Sequence, residues 1–366
     1  MNMRAAVCGD HTLAMPIKPA TLDDPRVDEV LVRIVATGIC HTDIKIATTP
    51  GLSPRPIVLG HEGAGVVEKV GAGVRKLAPG DHVVLTFDSC GRCPTCAMGK
   101  PSYCHEVAAV CFSGKRLDGS TTIRCEDAST HGNFFGQSSF ATHALANERN
   151  AIKVRKDAPL ELLGPLGCGL QTGAGAVLNS LGLRAGQSIA VFGVGAVGLA
   201  AVMAARVAGA SRIFAVDVVE ERLALAKELG ATTAINGAKT DALKEILAAT
   251  KTGVDFALDT TANDKAIEQA VDCVGPLGAC GLIANKNPAQ AAQVKILGSM
   301  LRGRTIRGIV QGDSVPDIFI PRLVDFFMDG RFPFDKLVKF YPFDNIAEAM
   351  ADADSGATIK PVLRMG

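Results

Sequence analysis

The chain has 366 residues, of which 48% are hydrophobic and 20% are charged, so it can bury a large core and is not expected to be disordered. Its 38 Lys and Arg residues balance 37 Asp and Glu residues, which provides no basic field for nucleic acid or an anionic membrane. The length predicts two domains, with three as the alternative.

Residues 1–18 contain no apolar stretch long enough for a signal peptide. The apolar run at residues 189–205 contains three glycines and is shorter than the roughly 20 residues that a membrane-spanning helix needs. We therefore expect a cytoplasmic protein, in which clustered cysteines bind metal more often than they bind each other.

Short β-branched runs separated by Gly and Pro predict a β-rich first domain, folded as a partly open barrel. These runs are EVLVRIVA (29–36), GAGVVEKVG (63–71) and DHVVLTF (81–87). From about residue 170, strands alternate with helices, which predicts an α/β domain with a parallel, doubly wound sheet. Its predicted strands are SIAVFGV (188–194), RIFAVDV (212–218), TAIN (233–236), DFALDTT (255–261), GACGLIA (278–284) and TIRGIV (305–310). Helices are predicted at 196–209, at 220–230 and from residue 241.

The sequence GVGAVG at residues 193–198 lies between a predicted strand and a predicted helix, the context of a dinucleotide-binding loop. Gly193 makes the turn, Gly195 lets the backbone approach a pyrophosphate, and Gly198 lets the helix pack on the strand. Asp217 ends the next strand, where a carboxylate accepts ribose hydroxyls and repels a 2′-phosphate, which favours NAD over NADP. Arg222 is a candidate ribose or adenine contact. A sheet of this kind that binds no nucleotide is the alternative.

Two groups of cysteines are candidate metal sites. The first, Cys90, Cys93, Cys96 and Cys104, has the spacing C-x2-C-x2-C-x7-C and predicts a closed, tetrahedral structural zinc site. An iron–sulfur cluster is its alternative. The second group is dispersed and consists of Cys40, His61 with Glu62, and Cys168. Spacing alone does not group these residues, although each lies within two residues of a glycine.

The chain resembles the zinc-dependent medium-chain alcohol dehydrogenases almost from end to end. GHEGAGVV (60–67), the four-cysteine segment, GCGLQTG (167–173) and the glycine loop occur in the order and spacing of that family. GQSSFATHA (136–144) and LLGPLGCG (162–169) resemble its aryl-alcohol and allylic terpene alcohol branch. The resemblance implies a GroES-like catalytic domain at residues 1–169 with 311–366, and a Rossmann NAD-binding domain at residues 170–310.

The resemblance also implies roles for individual residues. Cys40, His61 and Cys168 would hold a catalytic zinc, with Glu62 behind the metal. Asp43 would orient His61, and Thr42 would hydrogen-bond the alcohol. The implied cofactor contacts are Thr172 on the nicotinamide, and His41 and Lys360 on the pyrophosphate. The implied substrate cleft is lined by Phe87, Phe134 and Phe135. Where many relatives carry a proton-passing His, this chain has Lys45, which either binds phosphate or is a solvated surface lysine.

We therefore predict an oxidoreductase that converts primary aryl or allylic alcohols, such as benzyl alcohol, to aldehydes. It would use NAD and two Zn²⁺ per chain, through a zinc-bound alkoxide and hydride transfer. The alternatives are a glutathione-dependent formaldehyde dehydrogenase, a non-catalytic zinc- or NAD-binding protein, and a zinc-free quinone reductase. The expected partners are a small alcohol or aldehyde and a second copy of the chain in a homodimer, with a homotetramer as the alternative. We expect no nucleic acid and no membrane partner.

Overall fold

The structure, a computed structural model, describes residues 1–125 and 130–366. The strands are β1 (Asn2–Cys8), β2 (Ile17–Leu22), β3 (Glu29–Gly38), β4 (Ile57–Val58), β5 (Gly63–Val70), β6 (His82–Leu85), β7 (Ile123–Arg124), β8 (His131–Gly132), β9 (His143–Asn147), β10 (Ala151–Val154), β11 (Ser188–Phe192), β12 (Arg212–Asp217), β13 (Thr233–Asn236), β14 (Val254–Asp259), β15 (Val274–Leu282), β16 (Thr305–Gly308), β17 (Val338–Pro342) and β18 (Lys360–Arg364).

The helices are α1 (His41–Thr48), α2 (Pro94–Ala97), α3 (Leu160–Leu163), α4 (Gly169–Gly175), α5 (Ala196–Val207), α6 (Glu220–Leu229), α7 (Ala242–Thr250), α8 (Asp264–Asp272), α9 (Ile296–Arg302), α10 (Pro316–Met328) and α11 (Ile346–Ser355). Short 3₁₀ turns lie at Pro101–Tyr103, Phe134–Gly136, Gly164–Gly167, Gln311–Asp313, Phe334–Leu337 and Phe343–Asn345, and single π-helical turns at Ala108–Phe112 and Ala176–Ser180. Within the described residues, no helix is long and apolar enough to cross a membrane.

The described part of the chain divides into two compact units. The first unit consists of Met1–Gly169, Val315–Met328 and Phe334–Gly366, and the second of Leu170–Ser314 and Asp329–Pro333. The predicted fold class, a GroES-like β-rich part and a part with a parallel doubly wound sheet, is confirmed. The domain limits proposed from the sequence stay a prediction.

The first unit is built on β-sheets. Among the described residues, one sheet has the strand order β7-β2-β1-β4-β8, and a second has the order β10-β6-β5-β3-β18-β17, with β9 paired to β3. β3 supplies the core residues Val30, Val32 and Ile34, each at most 2% exposed. Its antiparallel pairing with β5 shifts register twice, and such bulges bend a sheet toward a barrel. The C-terminal strand β18 pairs with β3, next to the segments that carry the candidate site.

The second unit is built on a sheet whose described strands have the order β13-β12-β11-β14-β15-β16, all parallel. Numbered along the chain this order is 3-2-1-4-5-6, that of the dinucleotide-binding fold. β11 is buried on both faces, which explains its continuous apolar sequence. At one edge, all four residues of β16 are exposed.

Candidate active site and metal centres

Three separate segments of the first unit bring the dispersed candidate ligands together. Cys40 precedes α1, His61 and Glu62 lie between β4 and β5, and Cys168 lies between a 3₁₀ turn and α4. One ligand atom from each of these four residues lies within 4.8 Å of the others. The structure thus assembles a group that spacing could not define, and we call it the catalytic cluster.

The catalytic cluster has the chemistry of a zinc site. The Nε2 atom of His61 is buried and has no hydrogen-bond partner among the described residues. An unpartnered buried nitrogen is costly, and two thiols with one imidazole are a donor set that zinc prefers. A hydrogen bond between the two thiols holds the pKa of Cys40 well below its usual range despite its burial, and the same bond raises the pKa of Cys168. The residues present therefore fit a zinc ion.

Asp43, on the first turn of α1, connects two of the ligand segments. Its Oδ1 accepts hydrogen bonds from His61 Nδ1 at 2.9 Å and from the Gly60 amide at 3.1 Å. Its Oδ2 accepts one from the Cys40 amide at 3.0 Å. A carboxylate on Nδ1 leaves Nε2 as the coordinating nitrogen, the arrangement common around protein zinc. The carboxylate is fully buried, so its charge acts in a low-dielectric surrounding.

Glu62 and Lys360 form a buried ion pair behind the catalytic cluster. Lys360 Nζ donates to both Glu62 carboxylate oxygens, at 3.0 and 3.1 Å, and to the Ile39 carbonyl at 3.1 Å. Burial raises the pKa of Glu62 to about 7 against the opposing charge of Lys360, and the Glu62 charge raises the pKa of Lys360 despite its burial.

The prediction that Lys360 contacts a pyrophosphate stays a prediction, because the structure shows only the partners of Lys360 within its own unit. The Lys360 side chain is only 3% exposed, and its ammonium donors are directed at a carboxylate and a carbonyl of its own unit. An ammonium held in this way neutralises Glu62 and does not present its charge at a surface.

Other predicted site residues lie on α1. His41 is exposed at the first position of the helix, and Thr42 and Lys45 are half-buried. The Thr42 hydroxyl oxygen lies 3.8 Å from the Cys40 sulfur, at the margin of the catalytic cluster. This places a hydroxyl within reach of a ligand held by the cluster.

Two of the phenylalanines assigned to the substrate cleft, Phe134 and Phe135, pack on the candidate zinc ligand His61. The ring of Phe135 lies 4.5 Å from that of His61, centre to centre, and the ring of Phe134 lies 5.7 Å from it with edge-to-face geometry. Phe87 and Phe135 are each 6% exposed, whereas Phe134 is fully buried. Phe134 packs against Phe135, with ring centres 4.9 Å apart, and its place in the substrate cleft stays a prediction. Phe135 has a left-handed backbone, φ 53°, a costly conformation of the kind that clusters at functional sites.

The four-cysteine lobe is a second candidate metal centre. The sulfurs of Cys90, Cys93, Cys96 and Cys104 lie within 4.8 Å of one another. Backbone amides donate to three of these sulfurs, for example the Cys90 amide to the Cys104 sulfur at 3.2 Å. Hydrogen bonds from the Thr95 hydroxyl and the His105 amide lower the pKa of Cys93 to about 5. Four sulfurs supply a closed tetrahedral shell, which fits a structural zinc.

The glycine loop of the second unit has the geometry of a dinucleotide cradle. Gly193 has φ 83°, and a Cβ atom on Gly198 would lie 1.9 Å from the Gly193 carbonyl oxygen. A Cβ on Gly195 would have no neighbour within 4 Å, so the backbone at the start of α5 borders open space. Asp217 accepts a hydrogen bond from the Val194 amide at 2.7 Å. The helix terminus and this open backbone together suit a pyrophosphate.

The remaining predicted cofactor contacts also belong to the second unit. Arg222 is half-buried on α6, and Thr172 is 7% exposed on α4. The Thr172 hydroxyl donates to the Gln311 side-chain oxygen at 3.4 Å.

The sequence assigned no role to two buried polar residues beside the catalytic cluster. Gln137 hydrogen-bonds the backbone on both sides of Glu62, and Thr86 bonds the peptide before Cys168. The only sequence signal was that Gln137 belongs to GQSSFATHA, a segment singled out for its resemblance.

Comparison with known proteins agrees with this geometry. Residues 196–328 match the family model described as zinc-binding dehydrogenase, and residues 26–156 match the alcohol dehydrogenase GroES-like domain. The geraniol dehydrogenase of Castellaniella defragrans is 46% identical over 99% of this chain and 98% of the relative. The crystal structure of benzyl alcohol dehydrogenase from Acinetobacter calcoaceticus is similar with a TM-score of 0.97 and 45% identity over all of both chains. That of a zinc-binding alcohol dehydrogenase domain protein from Burkholderia ambifaria gives 0.99 and 53%, over 100% of this chain and 99% of the other.

The fold and the two clusters define a zinc-binding dehydrogenase. The chain belongs to the zinc-dependent alcohol dehydrogenases of the medium-chain dehydrogenase family, and it is an enzyme of that class.

Proposed function

We propose that this enzyme oxidises primary aryl or allylic alcohols to aldehydes, with NAD as hydride acceptor and with zinc in the catalytic cluster. The observation that carries the proposal is the convergence of Cys40, Cys168 and the buried Nε2 atom of His61, which has no hydrogen-bond partner in the described part of the chain. A bound zinc would polarise the alcohol oxygen and lower its pKa, and nicotinamide would accept the hydride.

The surrounding residues hold the ligands and guide the proton. Asp43 fixes the His61 ring, and the Lys360–Glu62 pair places a neutralised carboxylate behind the cluster. Thr42, at the margin of the cluster, would accept a hydrogen bond from the alcohol hydroxyl and, as it takes that proton, release its own hydroxyl proton to water. The four-cysteine lobe would hold a second zinc in a closed shell that performs no chemistry.

The substrate class rests on the relatives and on one aromatic contact. Two of the relatives are named for their alcohols: geraniol, an allylic alcohol, and benzyl alcohol. In this chain, Phe135 lies directly against the ring of His61, so an aromatic surface borders the candidate reaction centre. Flat apolar groups gain contact area on such a surface, which ethanol cannot use.

The choice of NAD rests on Asp217. Its carboxylate ends β12 and is held by the amides of Val194, Val218 and Val219, at 2.7, 2.7 and 3.0 Å. A fixed negative charge there accepts ribose hydroxyls and repels the 2′-phosphate of NADP. The change Asp217→Ser should weaken discrimination against NADP, as measured by the ratio of kcat/KM for the two cofactors. An unchanged ratio would remove this role from Asp217.

We further propose that two copies of the chain associate through the β16 edge of the second unit. Beside this edge strand, α9 exposes its large apolar side chains: Ile296, Leu297, Met300 and Leu301 are each 67–80% exposed. An exposed edge strand and apolar patch are normally covered in solution. Light scattering of the purified protein should give the mass of a dimer, or of a tetramer if a second face also pairs. We place the enzyme in the cytoplasm, where its thiols stay reduced.

The direct test of the function is the initial rate of NAD reduction with benzyl alcohol, geraniol and ethanol, before and after chelation. We expect the highest kcat/KM for benzyl alcohol or geraniol, and loss of turnover after chelation. Equal efficiency with ethanol would overturn the substrate class. Chelator-resistant turnover would overturn the role of the metal.

A further inference from the structure

We propose that Gln137 and Thr86 are positioning residues that brace the segment carrying His61 against the segment carrying Cys168. The proposal rests on the proposed function, because it concerns the ligands of the same zinc. Its effect would be to set the separation of two metal ligands that come from distant parts of the chain.

Gln137 brackets the segment that carries His61. Its side chain is only 1% exposed, and its Oε1 accepts a hydrogen bond from the Gly63 amide at 3.1 Å. Its Nε2 donates to the His61 carbonyl at 3.0 Å and to the Thr86 carbonyl at 3.0 Å. The side-chain amide of Gln137 therefore hydrogen-bonds the backbone on both sides of Glu62 and connects it to Thr86, which follows β6.

Thr86 extends this link to the other ligand. Its side chain is fully buried, and its hydroxyl donates to the Gly167 carbonyl at 2.6 Å. Gly167 forms the peptide bond with Cys168, so the position of that carbonyl affects where the Cys168 side chain begins. Thr86 thus accepts a hydrogen bond from Gln137 at its carbonyl and donates one from its hydroxyl to the segment that carries Cys168.

The packing around these bonds leaves little space for the segments to shift. A Cβ on Gly167 would lie 2.1 Å from the Leu85 carbonyl oxygen, and one on Gly63 would lie 2.8 Å from the Ser139 Cβ. Both ligand segments therefore touch the structure that holds them. Dense packing transmits small displacements, so a change at Gln137 or Thr86 should move a ligand atom.

Gln137 and Thr86 complement the role of Asp43. Asp43 connects the Cys40 and His61 segments, whereas Gln137 and Thr86 connect the His61 and Cys168 segments. Glu62 adds a further link between the His61 and Cys168 segments, because its Oε1 accepts a hydrogen bond from the Gly169 amide at 3.2 Å. Position 137 requires a side-chain amide for these bonds, because a carboxylate cannot donate to the two carbonyls that Gln137 Nε2 contacts.

The test compares matched removals of a buried hydroxyl in the intact enzyme. Thr86→Val removes the bond to Gly167. Thr37→Val is the control, because Thr37 is equally buried and its hydroxyl bonds only the Ser139 hydroxyl at 2.9 Å among the contacts described. Thr86→Ser restores the hydroxyl, and Gln137→Glu keeps the size of the side chain but loses both donations.

The measurements are the rate of loss of the catalytic zinc to a chelator, and the visible spectrum after cobalt replaces that zinc. We expect Thr86→Val and Gln137→Glu to lose zinc about 10- to 100-fold faster and to shift the cobalt bands, as for other outer partners of metal ligands. Thr37→Val and Thr86→Ser should behave as the wild type.

The proposal would be overturned if Thr86→Val and Thr37→Val lost zinc at the same rate, showed unshifted cobalt bands and had equally lowered melting temperatures. Thr86 would then have a purely structural role. If one variant fails to fold, the other still decides the question. If the wild type holds no zinc in the catalytic cluster, the proposed function itself fails, which the wild-type measurement shows separately.

Discussion

The substitution Asp43→Asn tests how the site holds its metal. In the wild type, three donors face one buried carboxylate: His61 Nδ1, the Gly60 amide and the Cys40 amide, at 2.9, 3.1 and 3.0 Å. Asparagine has almost the same shape but offers one oxygen and one NH₂ group. At least one of the three donors must then face another donor.

The size of the effect follows from that mismatch. A buried donor without an acceptor costs about 1–3 kcal/mol. Because about 1.4 kcal/mol corresponds to a factor of ten, zinc affinity should fall roughly 5- to 150-fold. Loss of an outer partner of a metal-bound His typically costs about 10- to 100-fold, which agrees with this range. We therefore expect Asp43→Asn to lower zinc affinity and kcat/KM by about 10- to 100-fold.

The assay is competition for zinc with a chelator, followed by kcat/KM at saturating metal. Asp81→Asn is the matched control, because Asp81 is 6% exposed in the same unit but accepts from the Ala78 amide and Lys153, away from the ligands. Zinc affinity within twofold of the wild type in Asp43→Asn, or an equal loss in Asp81→Asn, would refute the reasoning.

Three further substitutions test other parts of the account. Cys104→Ser breaks the four-sulfur shell, so zinc per chain should fall by one and the melting temperature should drop; a full zinc complement would contradict this. Lys360→Met leaves Glu62 buried without its partner and should destabilise the fold by about 3–5 kcal/mol in urea unfolding, with much of the loss recovered in Glu62→Gln/Lys360→Met. Equal stability of the single and double variants would argue against the pair. Phe135→Ala removes an aromatic contact worth roughly 1 kcal/mol, so the ratio of kcat/KM for benzyl alcohol to that for ethanol should fall about fivefold. An unchanged ratio would place the substrate elsewhere.

Local patterns in the sequence predicted the second unit well. β13 has the predicted limits, Thr233–Asn236, and the helix predicted from residue 241 begins at Ala242 with Asp241 as its cap. The buried strands of a parallel sheet are continuous apolar runs, and α7 and α8 begin at the side-chain caps Asp241 and Asn263, so local signals suffice there. The metal site of the four-cysteine lobe could also be predicted from the sequence, because its cysteines lie close together in the chain.

The catalytic cluster could not be predicted from spacing. Cys40, His61 and Cys168 are brought together only by the folding of separate segments, and only the family resemblance grouped them. The ion pair of Lys360 with Glu62 could not be predicted for a related reason: the sequence shows the charge of Lys360 but not its burial, which depends on the pairing of β18 with β3 and β17. Gln137 and Thr86 contact main-chain atoms, which every residue has, so no pairing pattern reveals them.

The central claim is that Cys40, His61 and Cys168 hold a zinc ion. It is tested most directly by anomalous diffraction at the zinc absorption edge, on crystals of the enzyme purified without added metal. We predict one peak between the sulfurs of Cys40 and Cys168 and the Nε2 atom of His61, and a second peak among the four cysteines of the lobe. A peak in the lobe alone, from enzyme that still oxidises alcohols, would contradict the account.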